Sequence, residues 1–183
     1  MDRLQRDTVL VLLIEDLRDR GSWCGETHIQ KATYFLQELC GVDLGFDFIM
    51  YKHGPYSFDL TGELTSMRAD GFLEIVLQQP PYGPSLLPTP HSARLKQLYP
   101  RTLGKYACRV QRVAELLGGR GVAELERLAT ALYVWHEDRS RRESAATRAE
   151  RMRELKPHIS SEDARTAVNT VDDWIAQWAI AEA

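Results

Sequence analysis

Three cysteines and five histidines are the side chains of this sequence best suited to nucleophilic, metal or proton-transfer chemistry. Cys24, Cys40 and Cys108 are odd in number and form no CxxC pair, so neither a disulfide framework nor a zinc knuckle is expected. Cys40 and Cys108 lie on helix faces, where a buried structural thiol is the usual occupant. Cys24 stands beside Trp23 in a loop and is expected at the surface, with no base next to it. His28, His53, His91, His136 and His158 are far apart, and none sits at ligand spacing from another His or Cys. No metal or other cofactor is expected. His136-Glu137-Asp138 reads as helix-end electrostatics, since a protonated His suits a helix C-terminus. No GxxxxGK[ST] phosphate loop, strand-borne GxGxxG, HExxH or GxSxG elbow occurs. Leu117-Gly118-Gly119-Arg120-Gly121 lies between helices with no Lys-Ser/Thr after it, and reads as a turn. An enzyme is not expected. A catalytic site assembled from distant residues, for example His53 with Lys52 and Tyr56, stays as a third reading behind two binding ones.

The densest cluster of recognition-type side chains is Phe46, Phe48, Tyr51, Tyr56 and Phe58 around Lys52-His53-Gly54-Pro55. Gly permits positive φ and Pro locks its own φ, so Gly-Pro fixes a tight turn. Such a turn is either a rigid contact surface or a hinge that directs the next helix onto the core. Charge is laid out in blocks: net −6 over residues 1–80, +7 over 81–156 and −4 over 157–183. The basic cations Arg139, Arg141, Arg142, Arg148, Arg151, Arg153 and Lys156 alternate with five acids from Glu137 to Glu154. Glu150 and Arg153 fall at helical spacing, so this stretch reads as a self-paired solvated helix more than a phosphate-binding strip.

These residues need elements to position them. Leu4, Val9, Leu12, Leu13 and Leu17 predict a helix over 2–20, stopped by Gly21. Thr27 with Gln30 forms the pattern of a capping box for a second helix that runs to Cys40. Phe46 to Tyr51 predicts a short strand, Ser57 an N-cap for a helix over 58–70, and Phe72 to Leu77 a second strand. Five prolines in residues 78–91 exclude a helix there, and Leu86-Leu87 suits the return strand of a hairpin. Helices are expected at about 92–99, 102–118, 121–138, 144–155 and 161–180, the last capped by Ser160-Ser161. The expected fold is mainly α with a small β-hairpin: a winged-helix-like core over 1–90, with a Pro-rich wing or loop at 78–91, and a helical part over 92–183 packed on it as one domain. At 183 residues, with 44% hydrophobic and 27% charged residues, the chain suits one soluble domain without staples. It shows no apolar run of membrane-spanning length and no signal peptide, so a cytoplasmic location is expected.

Two blocks carry a family resemblance. The first is Thr27-His28-Ile29-Gln30-Lys31-Ala32-Thr33-Tyr34-Phe35-Leu36, followed by Phe46 to Ser57 with its His53-Gly54-Pro55-Tyr56-Ser57 turn, then Leu64 and Asp70-Gly71-Phe72. The second is Leu128-Ala129-Thr130-Ala131-Leu132-Tyr133 with Leu155-Lys156-Pro157-His158-Ile159-Ser160-Ser161-Glu162. The first resembles the signature of the SocA-like antitoxin domain, also called Panacea, and the second is similar to the closing block of YwgA-like proteins. Ala32-Thr33 departs from the aliphatic residues usual there. The resemblance implies a prokaryotic, cytoplasmic, winged-helix-like protein that binds a protein partner in a toxin–antitoxin, phage-defence or mobile-element setting. No catalytic residue set comes with it.

The expected partner-binding residues are Gln30, Lys31, Tyr51, Lys52, His53, Gly54, Pro55, Tyr56 and Ser57, with a toxin or defence effector as partner. The alternative is a nucleic-acid-binding regulator with helix 58–70 in the groove. That helix offers only Arg68 beside Asp59, Glu63 and Asp70, which disfavours approach to phosphates. Trp174, Ile175, Trp178 and Ile180 give the last helix an apolar face that suits either the core or a homodimer. No membrane partner is expected.

Overall fold

The computed structural model describes residues 1–77, 79, 83–138 and 143–181. It is mainly helical with two small antiparallel hairpins. The elements are α1 (Arg3–Asp19), α2 (Glu26–Glu38), β1 (Ile49–Tyr51), β2 (Gly54–Tyr56), α3 (Phe58–Ala69), β3 (Leu73–Val76) and β4 (Ser85–Pro88). After a 3-10 turn at Pro90–Ser92 come α4 (Ala93–Leu98), α5 (Pro100–Leu117), α6 (Val122–Glu137), α7 (Ala145–Leu155) and α8 (Ser161–Ala181). No helix among the described residues is long and apolar enough to cross a membrane.

The chain forms two compact units, one of Met1–Ile49 with Tyr56–Arg120 and the other of Met50–Pro55 with the chain from Gly121 onward. In the first, α1 is the central helix. Val9, Leu10, Val11, Leu13, Ile14 and Leu17 are fully buried, covering more of the helix circumference than a one-sided stripe. It packs on α5, whose Tyr106, Val110, Val113 and Leu117 recur at i, i+3, i+4 spacing, and it also meets α4 and β4. Asp2 caps α1, accepting from Gln5 N–H at 2.9 Å while Gln5 closes the capping box. The β3–β4 ladder pairs Leu73 with Pro88, Glu74 with Leu87, Ile75 with Leu86 and Val76 with Ser85. On the far side of β4, Gly25 bridges Ser85 and Leu86 N–H donates to Cys24 O at 3.0 Å.

In the second unit α6, α7 and α8 pack on one another. Arg148 holds Asp172 bidentately at 2.6 and 2.8 Å, tying α7 to α8. Within α7, Arg151 pairs with Glu154 and Arg153 with Glu150 at the helical spacing expected, while Arg151 also reaches Glu137 at the end of α6. Arg139, Arg141 and Arg142 lie outside the described residues, as do Gln78 and Pro80 to Tyr82 of the expected wing.

Three local expectations are corrected. The cap of α2 is Gly25, not Thr27, because Gln30 spends its amide on the start of α3 and leaves none for a capping box. The strand expected from Phe46 begins only at Ile49, because the Gln37 side-chain amide takes both backbone groups of Phe46, at 2.9 and 3.0 Å. The thiols exchange places: Cys24 is buried and Cys108 exposed. The segment that carries Cys24 pairs with β4 and turns its Sγ inward to Ile14 O at 3.5 Å.

Candidate functional site

The turn singled out in the sequence is the tip of the β1–β2 hairpin. Gly54 adopts φ +86°, which a side chain would strain, and opens β2 directly after Lys52-His53. The tip is held from behind by Lys156, the residue before Pro157. Its Nζ donates to Tyr51 O and to Lys52 O, both at 2.6 Å, and ion-pairs with Glu126 Oε1 at 3.4 Å. Lys156 and Glu126 are both buried. A buried ammonium is costly unless it is compensated, and here two backbone carbonyls accept from it while the Glu126 carboxylate offsets its charge. His158 reaches the same carboxylate at 3.5 Å from the exposed side. The two sequence blocks are therefore joined by one side chain, which anchors the hairpin through its backbone.

The exit from the hairpin is fixed in the first unit. Buried Gln30 donates from Nε2 to Ser57 O at 2.8 Å and to Thr61 Oγ1 at 3.0 Å, and its Oε1 accepts from Ser57 N–H at 2.9 Å. Ser57 Oγ then caps α3 by accepting from Leu60 N–H at 3.2 Å, as its position predicts. Tyr56 and Thr61 hydroxyls both reach Glu26 Oε1, at 2.9 and 2.8 Å. The Tyr56 ring meets Phe58 edge-on at 5.1 Å.

Of the nine residues expected to bind a partner, Gln30, Lys31, Gly54, Pro55 and Ser57 are buried and Tyr56 is half-buried. Tyr51, Lys52 and His53 are exposed, with Tyr51 at 52%. Two residues the sequence reading left out of the site, Ile49 at 49% and Phe58 at 59%, are also exposed. Their signal was visible, since both are large apolar residues flanking the turn. The roles of Lys156 and Glu126 were not, because the contacts span more than a hundred residues for the lysine. On α8, Trp174 is buried and Ile175 and Trp178 are half-buried.

The outer face of α3 carries Asp59, Thr65, Arg68 and Asp70 in solvent, while Glu63 turns inward. Glu63 accepts from Arg3 Nε at 2.8 Å and from Arg6 Nη2, and Arg3 also binds Asp70 at 2.6 Å. Burial pulls the Glu63 carboxyl up, but its two arginine hydrogen bonds outweigh that and hold it below the ordinary glutamate range. Asp7, fully buried on α1, is excluded from those donors. Burial first and the neighbouring Glu63 charge second push its carboxyl up to about 7. Buried His28 shares a 2.8 Å hydrogen bond between Nδ1 and Ser22 Oγ, and burial lowers its pKa to about 4 against a weaker pull from the Leu117 carbonyl. Burial likewise raises the Cys24 thiol, which opposes nucleophilic reactivity. Among the described residues no three His, Cys, Asp or Glu side chains gather as a metal site.

No protein-family model matches this chain, and no curated protein matches it.

Proposed function

We propose that this chain is a non-enzymatic cytoplasmic protein that binds a protein partner through the solvent face of the β1–β2 hairpin. The observation that carries this is the Lys156 clasp. It spends its charge on the backbone of the hairpin tip, which pre-organises the tip while Tyr51, Lys52 and His53 keep their side chains in solvent. A rigid tip bearing an exposed aromatic costs little entropy to bind, which suits an interface anchor. The resemblance of the two sequence blocks to SocA-like and YwgA-like proteins supports a toxin or defence effector as the partner. A winged-helix-like character for the first unit is part of this proposal. The order α1, α2, α3, β3, β4 supports it, as does the bridge from Gly25 to Ser85, which adds a third extended segment beside β4.

The nucleic-acid alternative is disfavoured by α3, which presents one guanidinium beside Asp59 and Asp70. Two measurements decide. Affinity capture from the native host with Tyr51→Ala/His53→Ala as the control is expected to recover a partner with the natural chain and lose it with the variant. A salt-sensitive shift of duplex DNA at about 50 mM salt would overturn the proposal in favour of the regulator.

A further inference from the structure

We propose that the outer edge of β3 is a second docking site, which takes an extended, acid-bearing segment of a partner protein as an added strand. The register fixes which backbone groups are free. Thr89 N–H donates to Phe72 O at 3.0 Å, so Phe72–Thr89 is a hydrogen-bonded pair. Alternation then makes Glu74–Leu87 and Val76–Ser85 the next bonded pairs, while Leu73 and Ile75 turn their N–H and C=O away from β4. Leu86 N–H, opposite Ile75, obeys the same parity by pointing to Cys24 O on the other side. Among the described residues no hydrogen bond takes the outward groups of Leu73 and Ile75. An unpaired strand edge is a template for another chain.

The edge opens on a trough whose other wall is α3, lined by Thr65, Arg68, Ala69, Leu73, Glu74 and Ile75. Thr65, Arg68 and Ala69 stand at i, i+3, i+4 and are all exposed. The Arg68 guanidinium forms no ion pair among the described residues, while the nearby Asp70 is taken by Arg3. A carboxylate on the incoming strand is its complement. Ile75 on the strand is 39% exposed and Leu77, just past its end, is 83% exposed, which offers apolar contacts to the segment.

The test is selection of linear 12-residue peptides from a random phage-displayed library against the full chain, with the enriched peptide then synthesised for titration. Enriched sequences are expected to carry Asp or Glu among β-forming residues and to slow exchange of the Ile75 amide. Arg68→Glu, a surface change, is expected to weaken binding at least about tenfold. Ile75→Pro removes the edge N–H while sparing the β3–β4 bonds, and is expected to do the same with an unchanged circular-dichroism spectrum. Failure to enrich a peptide, or affinity indifferent to both substitutions, overturns the second site. If the peptide instead loses affinity on Tyr51→Ala, the edge site falls while the hairpin reading stands. The hairpin reading has its own separate failure in the host capture.

Discussion

Replacing Asp7 by Asn probes the α1–α3 junction at its least comfortable atom. Asp7 is fully buried, neither oxygen has a hydrogen-bond donor among the described residues, and its nearest cation, Arg3 Nε, is 3.9 Å away and already bonded to Glu63. The groups that face it are Arg3, Arg6 and Glu63, with Asp70 bound to the same Arg3. Its carboxyl titrates near 7 in the folded protein and at its ordinary value of 3.8 in the unfolded chain. The folded state thus keeps a proton that the unfolded state loses between those values. This group's effect on stability is therefore most favourable at low pH, declines as pH rises through that window, and levels off above about 7.

From pH 5.5 to 8 the loss is about 2 kcal/mol. His28 runs the other way. It stays neutral when folded down to about 4, whereas the unfolded His protonates below 6.5, so stability falls by about 1 kcal/mol between pH 8 and 5.5. The two groups therefore act on stability in opposite directions across this pH range. Asn mimics the protonated acid, so Asp7→Asn is expected to stabilise by up to about 4 kcal/mol at pH 8 and about 2 kcal/mol at pH 5.5. Urea unfolding followed by circular dichroism at both pH values measures the difference. A variant less stable than the natural protein at pH 8, or an equal gain at both pH values, refutes the reasoning.

Further outcomes follow from the clasp and the caps. Lys156→Met leaves Glu126 buried without its lysine and two carbonyls without a donor, and is expected to destabilise the protein by about 3 kcal/mol in thermal unfolding. Gly54→Ala is expected to cost about 1–2 kcal/mol by the same assay, because its φ of +86° is strained for a side chain. Ser57→Ala removes the α3 cap and is expected to cost about 1 kcal/mol. In native-state thiol labelling with a maleimide, Cys108 is expected to react fast and Cys24 only on unfolding.

Helix periodicity made most of the fold legible, because a 3.6-residue apolar repeat is a local property. Ser57 as an N-cap and Leu86-Leu87 as a return strand were readable for the same reason. What the sequence hid was non-local. Thr27 and Gln30 satisfy the capping-box pattern, yet Gln30 is claimed by Ser57, 27 positions away. Phe46 to Phe48 has strand composition, yet Gln37 saturates Phe46 first. The division of the chain falls at Gly121, at the end of the Gly-rich turn over 117–121. At the site, the turn was recognisable, but the Lys156 side chain that holds its backbone comes from more than a hundred residues away.

The most direct measurement of the central claim is capture of a partner from the native host by the full chain, compared with Tyr51→Ala/His53→Ala. Both residues are exposed, and thermal unfolding of the variant checks that its fold is kept. A stoichiometric protein partner is expected with the natural chain, and its loss with the double variant at unchanged thermal stability. Undiminished capture by the variant, or no protein partner together with salt-sensitive DNA binding, would contradict it.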